Sequence, residues 1–552
     1  MNYTLSKSDH NLLHLFKCGG NYKKIIQMNK KQLTGNAKNK RQHEINDVLL
    51  SFYDMIDNEF RLFKNGQDQG QGQGQGQGQD HFGRVFKHKL VNIRATSDKT
   101  IEKKITSVLE NSPYIPSSIV SYIKEKCTYV LTYSFHIDEM RTAKVNFIIF
   151  EDSTYEINNI KKKSASYFKN GVLKIYLWLK IASKYAAKEC APELECFIYL
   201  TPFKRSHPIF SKEQEQEREQ EQGVEAAYED YEEYEELYHH VNTQHGKGVL
   251  KPIHINGGVS NLCQPSGRVI VYRKEEWFKV FIHETMHNYG LDFSEMDISA
   301  ANGLLHKVFT IQKDVKLYES YCEVWARIMN VVFETYFDIN SRAKFSSRTT
   351  RKNFIDNLKL KENQDEVVLV DGGALVSNTE TNIVNTASVT SARNRKKFLK
   401  QFYTYLQYES LFSLFQNIKI LNYMGLDYNI ISNCTDSNYI VAKKLYKEET
   451  NAFAYYIIVS ILLSNFNNFI LWCIDNNTNT IQFKKNKNNI INFVQFIYKN
   501  YKKNELLNMI VDLEIRLETM DADGTDNPDN QESRQNNEML RTMRMTIVGG
   551  YL

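Results

Sequence analysis

Apolar positions recur at helical spacing near the start of the chain: Leu12, Leu13, Leu15 and Phe16, then Val48, Leu49, Phe52 and Met55. Residues 1–64 are therefore expected to be helical. The period then changes. Residues 129–136 and 145–150 alternate or run apolar with β-branched and aromatic side chains, and read as a strand pair. Residues 172–187 read as an amphipathic helix, 194–200 as a buried strand, 254–259 as a short extended piece and 268–272 as another strand. A long helix is expected over 274–289. Past residue 300 strand signals almost vanish, and 301–340, 395–425 and 440–515 carry helical spacing. Strands with an intervening helix, followed by helices alone, predict an α+β fold.

Low-complexity stretches divide this pattern. Residues 65–80 are a Gly/Gln linker that cannot form a core, and 213–238 are a Gln/Glu run followed by acidic, Tyr-rich sequence, expected as a surface insert. Residues 341–394, rich in Ser, Thr and Asn, are expected as a loop or mobile insert, and 516–552 as a mostly disordered tail. What remains is a core at 100–340 and a helical C-terminal region at 395–515.

Composition narrows the function classes. The net charge of +5 over 552 residues gives no support for nucleic-acid binding. Eight cysteines, at 18, 127, 190, 196, 263, 322, 434 and 473, form no CxxC pair. Neither a disulfide framework nor a Cys-rich zinc finger is expected, and reduced thiols in a cytoplasmic compartment fit best. The first residues lack the apolar run of a secretory signal. Residues 452–474 are the one stretch long enough to raise the question of a membrane. They contain Ser460, Ser464, Asn465, Asn467 and Asn468, and a buried helix is the expected reading. Oligomeric state is not legible.

The chemistry lies at His283-Glu284-Thr285-Met286-His287. Two histidines four apart share one helical face, so both imidazoles can reach one ion. Glu284 sits beside that face, placed to take a proton from a zinc-activated water. Trp277, Phe278, Val280, Phe281 and Ile282 make the helix core-like, a strand feeds it, and Gly290 is placed to end it in a left-handed cap. The position six past the second histidine is Phe293, not a third His, and Asp292 is one residue early for the related arrangement that uses Asp.

The third ligand is sought farther on. Glu319 and Glu323 are also four apart, in a helix rich in apolar residues, where unpaired carboxylates are costly. Glu319 is expected on zinc and Glu323 on the other ring nitrogen of a ligand His. Glu334, Asp297 and His306 are alternatives, with Glu448 and Glu449 in reserve. Tyr318 and Tyr321 are candidate oxyanion donors, and 254–260 is either a substrate-binding edge strand or a turn.

HExxH followed some thirty residues later by ExxxE resembles the gluzincin metallopeptidases, most closely the anthrax lethal-factor type. The run from Arg273 to Ser294 also resembles zinc peptidases encoded by giant nucleocytoplasmic DNA viruses. The resemblance implies a zincin-like catalytic core, a Zn2+ cofactor, peptide-bond hydrolysis with Glu284 as general base, and a peptide or protein substrate. For a viral protein it also implies host cytoplasm or virion. A different class of function is also open: a non-catalytic structural or interaction protein with a structural or degenerate zinc site.

Overall fold

The structure is a computed structural model that describes residues 38–68, 82, 85–94, 100–110, 112, 114–150, 165–208, 248–342, 382–526 and 539–549. The acidic insert 213–238, most of the Gly/Gln linker and residues 343–381 lie outside the described residues.

A six-stranded mixed sheet and a surrounding set of helices make an α+β architecture. The strands are β1 (Lys87–Asn92), β2 (Cys127–His136), β3 (Thr142–Phe150), β4 (Glu193–Thr201), β5 (Gly258–Ser260) and β6 (Ser266–Arg273), in the spatial order β1-β2-β3-β4-β6-β5. β1, β2 and β3 pair antiparallel, β3–β4 and β4–β6 pair parallel, and β5 returns antiparallel on β6 as the edge. The sheet thus begins before residue 100, the expected start of the core, because β1 is too polar to show a buried-strand pattern: its burial runs from exposed to half-buried.

Helices cover both faces. On one side α2 (Thr100–Glu110) and α3 (Ser117–Lys126) pack Ile105, Leu109, Ile119 and Ile123 against Val130, Ile148, Phe197 and Tyr199 of the sheet. On the other lie α4 (Ala165–Ser183) and α5 (Trp277–Asn288), joined to one large core with α1 (Lys38–Asp68) and the C-terminal helices. α4 is the helix expected at 172–187, but its solvated face is narrow: Tyr176, Lys180 and Ser183 lie half-buried along one side. Leu173, Ile175, Leu177, Trp178, Leu179 and Ile181 are all buried, because sheet and helices enclose it.

Beyond α6 (Ser299–Leu305) and α7 (Leu317–Arg342), the long α8 (Asn382–Tyr423) takes in the last residues of the expected 341–394 loop. α9 (Tyr428–Ser432) and α10 (Asp436–Leu445) follow. The apolar run at 452–474 is then split into a π-helical segment, Phe453–Ile458, with α11 (Val459–Ser464) and α12 (Phe466–Asn476), bent by 94° at Asn465. Among the described residues no single helix is long and apolar enough to cross a membrane. Phe453, Ile457, Ile461, Leu462, Phe469 and Ile470 are buried against the core.

α13 (Lys487–Asn500) and α14 (Asn504–Asp526) complete the helices. The expected disorder of 516–552 fails at both ends. α14 continues to Asp526, and Met539, Met543, Met545, Ile547 and Val548 are buried. Their backbone is gripped by buried side chains. Glu409 accepts from the amides of Ile547 (2.9 Å) and Val548 (2.8 Å), and Asn330 donates to Val548 O at 2.7 Å. Such partners lie far away in sequence, so a polar composition concealed them.

The reduced-thiol expectation is also corrected. Cys190, just before β4, and Cys263, in the β5–β6 turn, form a disulfide with Cα atoms 4.7 Å apart. Seventy-three residues separate them in sequence, and only the β4–β6 pairing brings them together.

Candidate metal centre

All twelve residues of α5 are buried, so the helix is fixed on every side. Trp178 Nε1 donates to Thr285 Oγ1 at 2.6 Å. At its start Glu276 sits at φ 57°, a left-handed conformation that costs a non-glycine residue about 1–2 kcal/mol. Its carboxylate pairs with buried Arg205 and accepts the Met545 amide at 2.8 Å, which holds the turn in place. At the other end Gly290 adopts φ 61°, and Leu291 N bonds back to Met286 O at 2.9 Å, the six-to-one closure of a left-handed helix stop.

α7 crosses α5 and brings Glu319 to the two histidines. His283 Nε2 and His287 Nε2 are 3.2 Å apart, and Glu319 Oε2 is 3.1 Å from the first and 3.3 Å from the second. These three atoms form a nearly equilateral triangle. A tetrahedral ion with bonds of about 2.0–2.1 Å has ligand–ligand edges of about 3.3 Å. The donor set therefore fits zinc in both chemistry and spacing.

Each ring is backed by a carboxylate. His287 Nδ1 lies within hydrogen-bond reach of Asp292 Oδ2. His283 Nδ1 is 3.2 Å from Glu323 Oε2, though poorly aligned with it. Glu323 is itself held by Lys279 (2.9 and 3.0 Å) and by Arg327 Nε (2.9 Å). Burial disfavours its charge, but Lys279, His283 and Arg327 outweigh that and hold its carboxyl well below the ordinary range. Glu319 is likewise held low: burial opposes ionisation, and His287 and His283 override it. Cys322 lies 3.5 Å from Asp292 Oδ2, and burial keeps its thiol protonated as a donor to that carboxylate. The His287–Asp292–Cys322 cluster thus supports the ring from behind.

Glu284 points elsewhere. Its Oε2 accepts from Ser260 Oγ at 2.8 Å, so the carboxylate lies between α5 and the edge strand. Burial raises its carboxyl above the usual value, opposed by His283, His287 and the Ser260 hydroxyl. β5 comes so close that a Cβ on Gly258 would sit 2.6 Å from Val280 Cγ1 and 2.9 Å from Ile270 O. Gly257 O accepts from Tyr272 N, and Asn261 N donates to Arg268 O. The alternation of this ladder turns the N–H and C=O of Gly258 and Ser260 to the free edge. The 254–260 piece is thus one helical turn, Pro252–Ile255, followed by an edge strand. A cavity of about 210 Å³ runs along that edge, bounded by Glu284, both histidines, Glu319 and Tyr455.

Compared with family models, with curated proteins and with solved structures, the chain matches none.

The other candidates are dispersed. Glu334 pairs with Lys174 at 2.6 Å, Asp297 accepts from Ser299, and His306 Nε2 faces Lys313 O at 3.3 Å. Glu448 accepts the Phe453 amide at 3.1 Å, and Leu250 O takes the Glu449 amide. Tyr318 lines the cavity, its ring 6.1 Å from that of His287. Tyr321 does not: its hydroxyl is buried and donates to Ile481 O at 2.6 Å. Sequence reasoning missed Tyr455, whose hydroxyl donates to Glu319 Oε2 at 2.9 Å and whose ring centre is 5.7 Å from that of His283. It lies on the π-helical segment, where one extra residue per turn re-aims a side chain. Among 33 tyrosines no local signal marks it. Asp292 was noticed for the wrong role, as a near-miss ligand.

Proposed function

We propose that this chain is a zinc-dependent metallopeptidase with a zincin-like core, related in design to the gluzincins, with His283, His287 and Glu319 holding the metal. The observation that carries the reading is the 3.1–3.3 Å triangle of two imidazole nitrogens and one carboxylate oxygen opening onto a cavity beside Glu284. Zinc bound there would supply Lewis acidity, lowering the pKa of water and polarising a carbonyl.

The chain's own residues account for the remaining requirements. An extended peptide pairs with the outward amide and carbonyl groups of Gly258 and Ser260, which aligns its backbone over Glu284. Glu284, raised by burial, takes a proton from water and returns it to the leaving amine. Burial keeps the Tyr455 phenol protonated well above its ordinary range, so it is available to donate to a developing oxyanion. Glu323 and Asp292 orient the two rings.

A purely structural site is the rival. Structural zinc is closed by four protein ligands, whereas the convergent set at this cavity contributes three among the described residues. The test pairs two variants. Glu284→Gln should retain one zinc per chain and lose about a hundredfold or more of peptide cleavage, while His283→Ala should lose the zinc. Cleavage by Glu284→Gln equal to wild type, or cleavage surviving complete zinc removal, overturns the mechanism.

A further inference from the structure

The two ends of the cavity differ in chemistry. At the Gly257 end Arg205 and Lys279 are buried and already paired with Glu276 and Glu323. Elsewhere the lining includes exposed apolar side chains, together with half-buried Lys316. Leu262 is 44% exposed and Tyr114 46% exposed, two of the few large apolar side chains that the described residues leave in water. Both line this same cavity, with half-buried Tyr318 between them and the metal ligands.

Their placement follows from the fold. Gly258 and Ser260 share the face of β5 turned to α5, where Ser260 reaches Glu284, and Leu262 follows two residues beyond the strand, at the cavity wall. Tyr114 comes from the α2–α3 connection, pinned where Tyr272 donates to its carbonyl at 3.2 Å, and it lies close enough to Tyr318 to interact electrostatically. Tyr318, at the start of α7, has its ring 6.1 Å from that of His287 and 6.2 Å from that of Phe293. Three independent elements thus place apolar surface beside a strand edge with free hydrogen-bonding groups. Exposed apolar side chains grouped in this way mark a binding surface. An antiparallel strand on β5 runs with its N-terminal part at Ser260 and Leu262 and its C-terminal part at Gly258.

We infer that the cavity binds an extended polypeptide carrying a bulky apolar or aromatic side chain on the N-terminal side of the bond held over Glu284, seated among Leu262, Tyr114 and Tyr318. This rests on the metallopeptidase reading for the direction of the chain, but the binding preference can be measured without cleavage. Burying one such side chain is worth about tenfold to a hundredfold in affinity.

The experiment uses full-length, zinc-loaded Glu284→Gln protein and blocked decapeptides of Gly and Ser with a single central Phe, Leu or Ala, read by fluorescence polarisation. Phe and Leu peptides should bind at least tenfold more tightly than the Ala peptide. The double variant Tyr114→Ala/Leu262→Ala, at two surface positions, should abolish that difference. Equal affinities in the starting protein, a preference that survives the double variant, or no binding of any peptide overturns the inference. A second arm maps cuts made by the wild type in a denatured protein mixture. Apolar enrichment on the N-terminal side of the cut supports the subsite, whereas enrichment only on the C-terminal side overturns it. Binding with the stated preference but no cleavage would sink the peptidase reading and leave the apolar subsite standing. Cleavage without preference would do the reverse.

Discussion

Replacing Arg327 by Met should weaken the metal centre without touching any residue that faces the ion. Arg327 is 1% exposed and joins three elements. Its Nε donates to Glu323 at 2.9 Å, Nη1 to Ser413 of α8 at 2.9 Å, and Nη2 to the carbonyl of Tyr455 at 3.3 Å. Glu323 backs His283, and Tyr455 contacts Glu319, so one guanidinium ties together the supports of two proposed ligands. Breaking a buried ion pair by removing one partner costs about 3–5 kcal/mol. Here Lys279 stays on both oxygens of Glu323, which limits the loss to the lower end, about 3 kcal/mol. Because the change removes a support of His283, zinc affinity should fall roughly tenfold or more. Denaturant unfolding with zinc present and after chelation separates the two effects, and competition with a chromogenic chelator reads the affinity. Arg327→Lys should lie between wild type and Met, since an ammonium keeps the charge but cannot span three partners. Unfolding within 0.5 kcal/mol of wild type (about the surface-substitution level) together with unchanged zinc affinity would refute the reasoning.

Two further outcomes test other parts of the structure. Burial raises the Glu409 carboxyl from 4.5 to about 7, partly offset by Arg327 and by its bonds to Thr546, Val548 and Ile547. The folded state therefore holds a proton that the unfolded state has lost, so this group destabilises the fold increasingly as pH rises from 4.5 to 7. At about 1.4 kcal/mol per pH unit the penalty reaches roughly 3 kcal/mol by neutral pH. Glu409→Gln should thus gain stability relative to wild type between pH 5 and pH 8 in urea unfolding, and a difference independent of pH would exclude Glu409 as the source. Reducing the Cys190–Cys263 disulfide opens a loop of 73 residues, worth about 4 kcal/mol by chain entropy. A melting temperature unmoved by reductant, with both thiols shown free, would count against that crosslink.

The sequence carried the parts whose causes are local. The His283–Glu284–His287 spacing, the strand feeding α5 and the Gly290 stop are all set between Ser266 and Gly290, and each lies in the structure at its expected place in the chain. The pairing of Glu319 with Glu323 was legible for a related reason: two carboxylates in an otherwise apolar helix need buried partners. What remained hidden depends on distance in the chain. Tyr455 reaches Glu319 across 136 residues, Arg327 reaches Ser413 across 86, and the amides of 545–548 are satisfied by Glu276 and Glu409 more than a hundred residues away. Periodicity misled where enclosure was complete. α4 has polar positions, but Lys174 is buried on Glu334, so the solvated face shrinks to the half-buried strip of Lys169, Tyr176, Lys180 and Ser183.

The proton inventory of the centre bears on the metal proposed there. Asp292 is held ionised by His287 and its bonds to Ser294, and Glu323 by Lys279, His283 and Arg327; both can only accept, so a hydrogen on His287 Nδ1 points at Asp292, while His283 Nδ1 lies 3.2 Å from Glu323 without good alignment. With both rings neutral and protonated at Nδ1, each presents a lone pair at Nε2. These two lone pairs and an ionised oxygen of Glu319 converge within 3.3 Å, three acceptors without a donor among them. Tyr455 supplies one hydrogen, but to Glu319 alone. Left as they are, the three repel one another, and in a buried site that repulsion is poorly screened. Only a proton or a metal cation relieves it. Burial disfavours protonated rings, yet Glu319 and Glu323 raise His283, and Cys322, Asp292 and Glu319 raise His287, above the ordinary value. A single proton can satisfy one pair of the three atoms, whereas a tetrahedral divalent ion satisfies all three at the spacing the backbone already holds. The arrangement is intelligible as a preformed metal site, with Glu284 left outside the donor set and facing the open edge of the sheet.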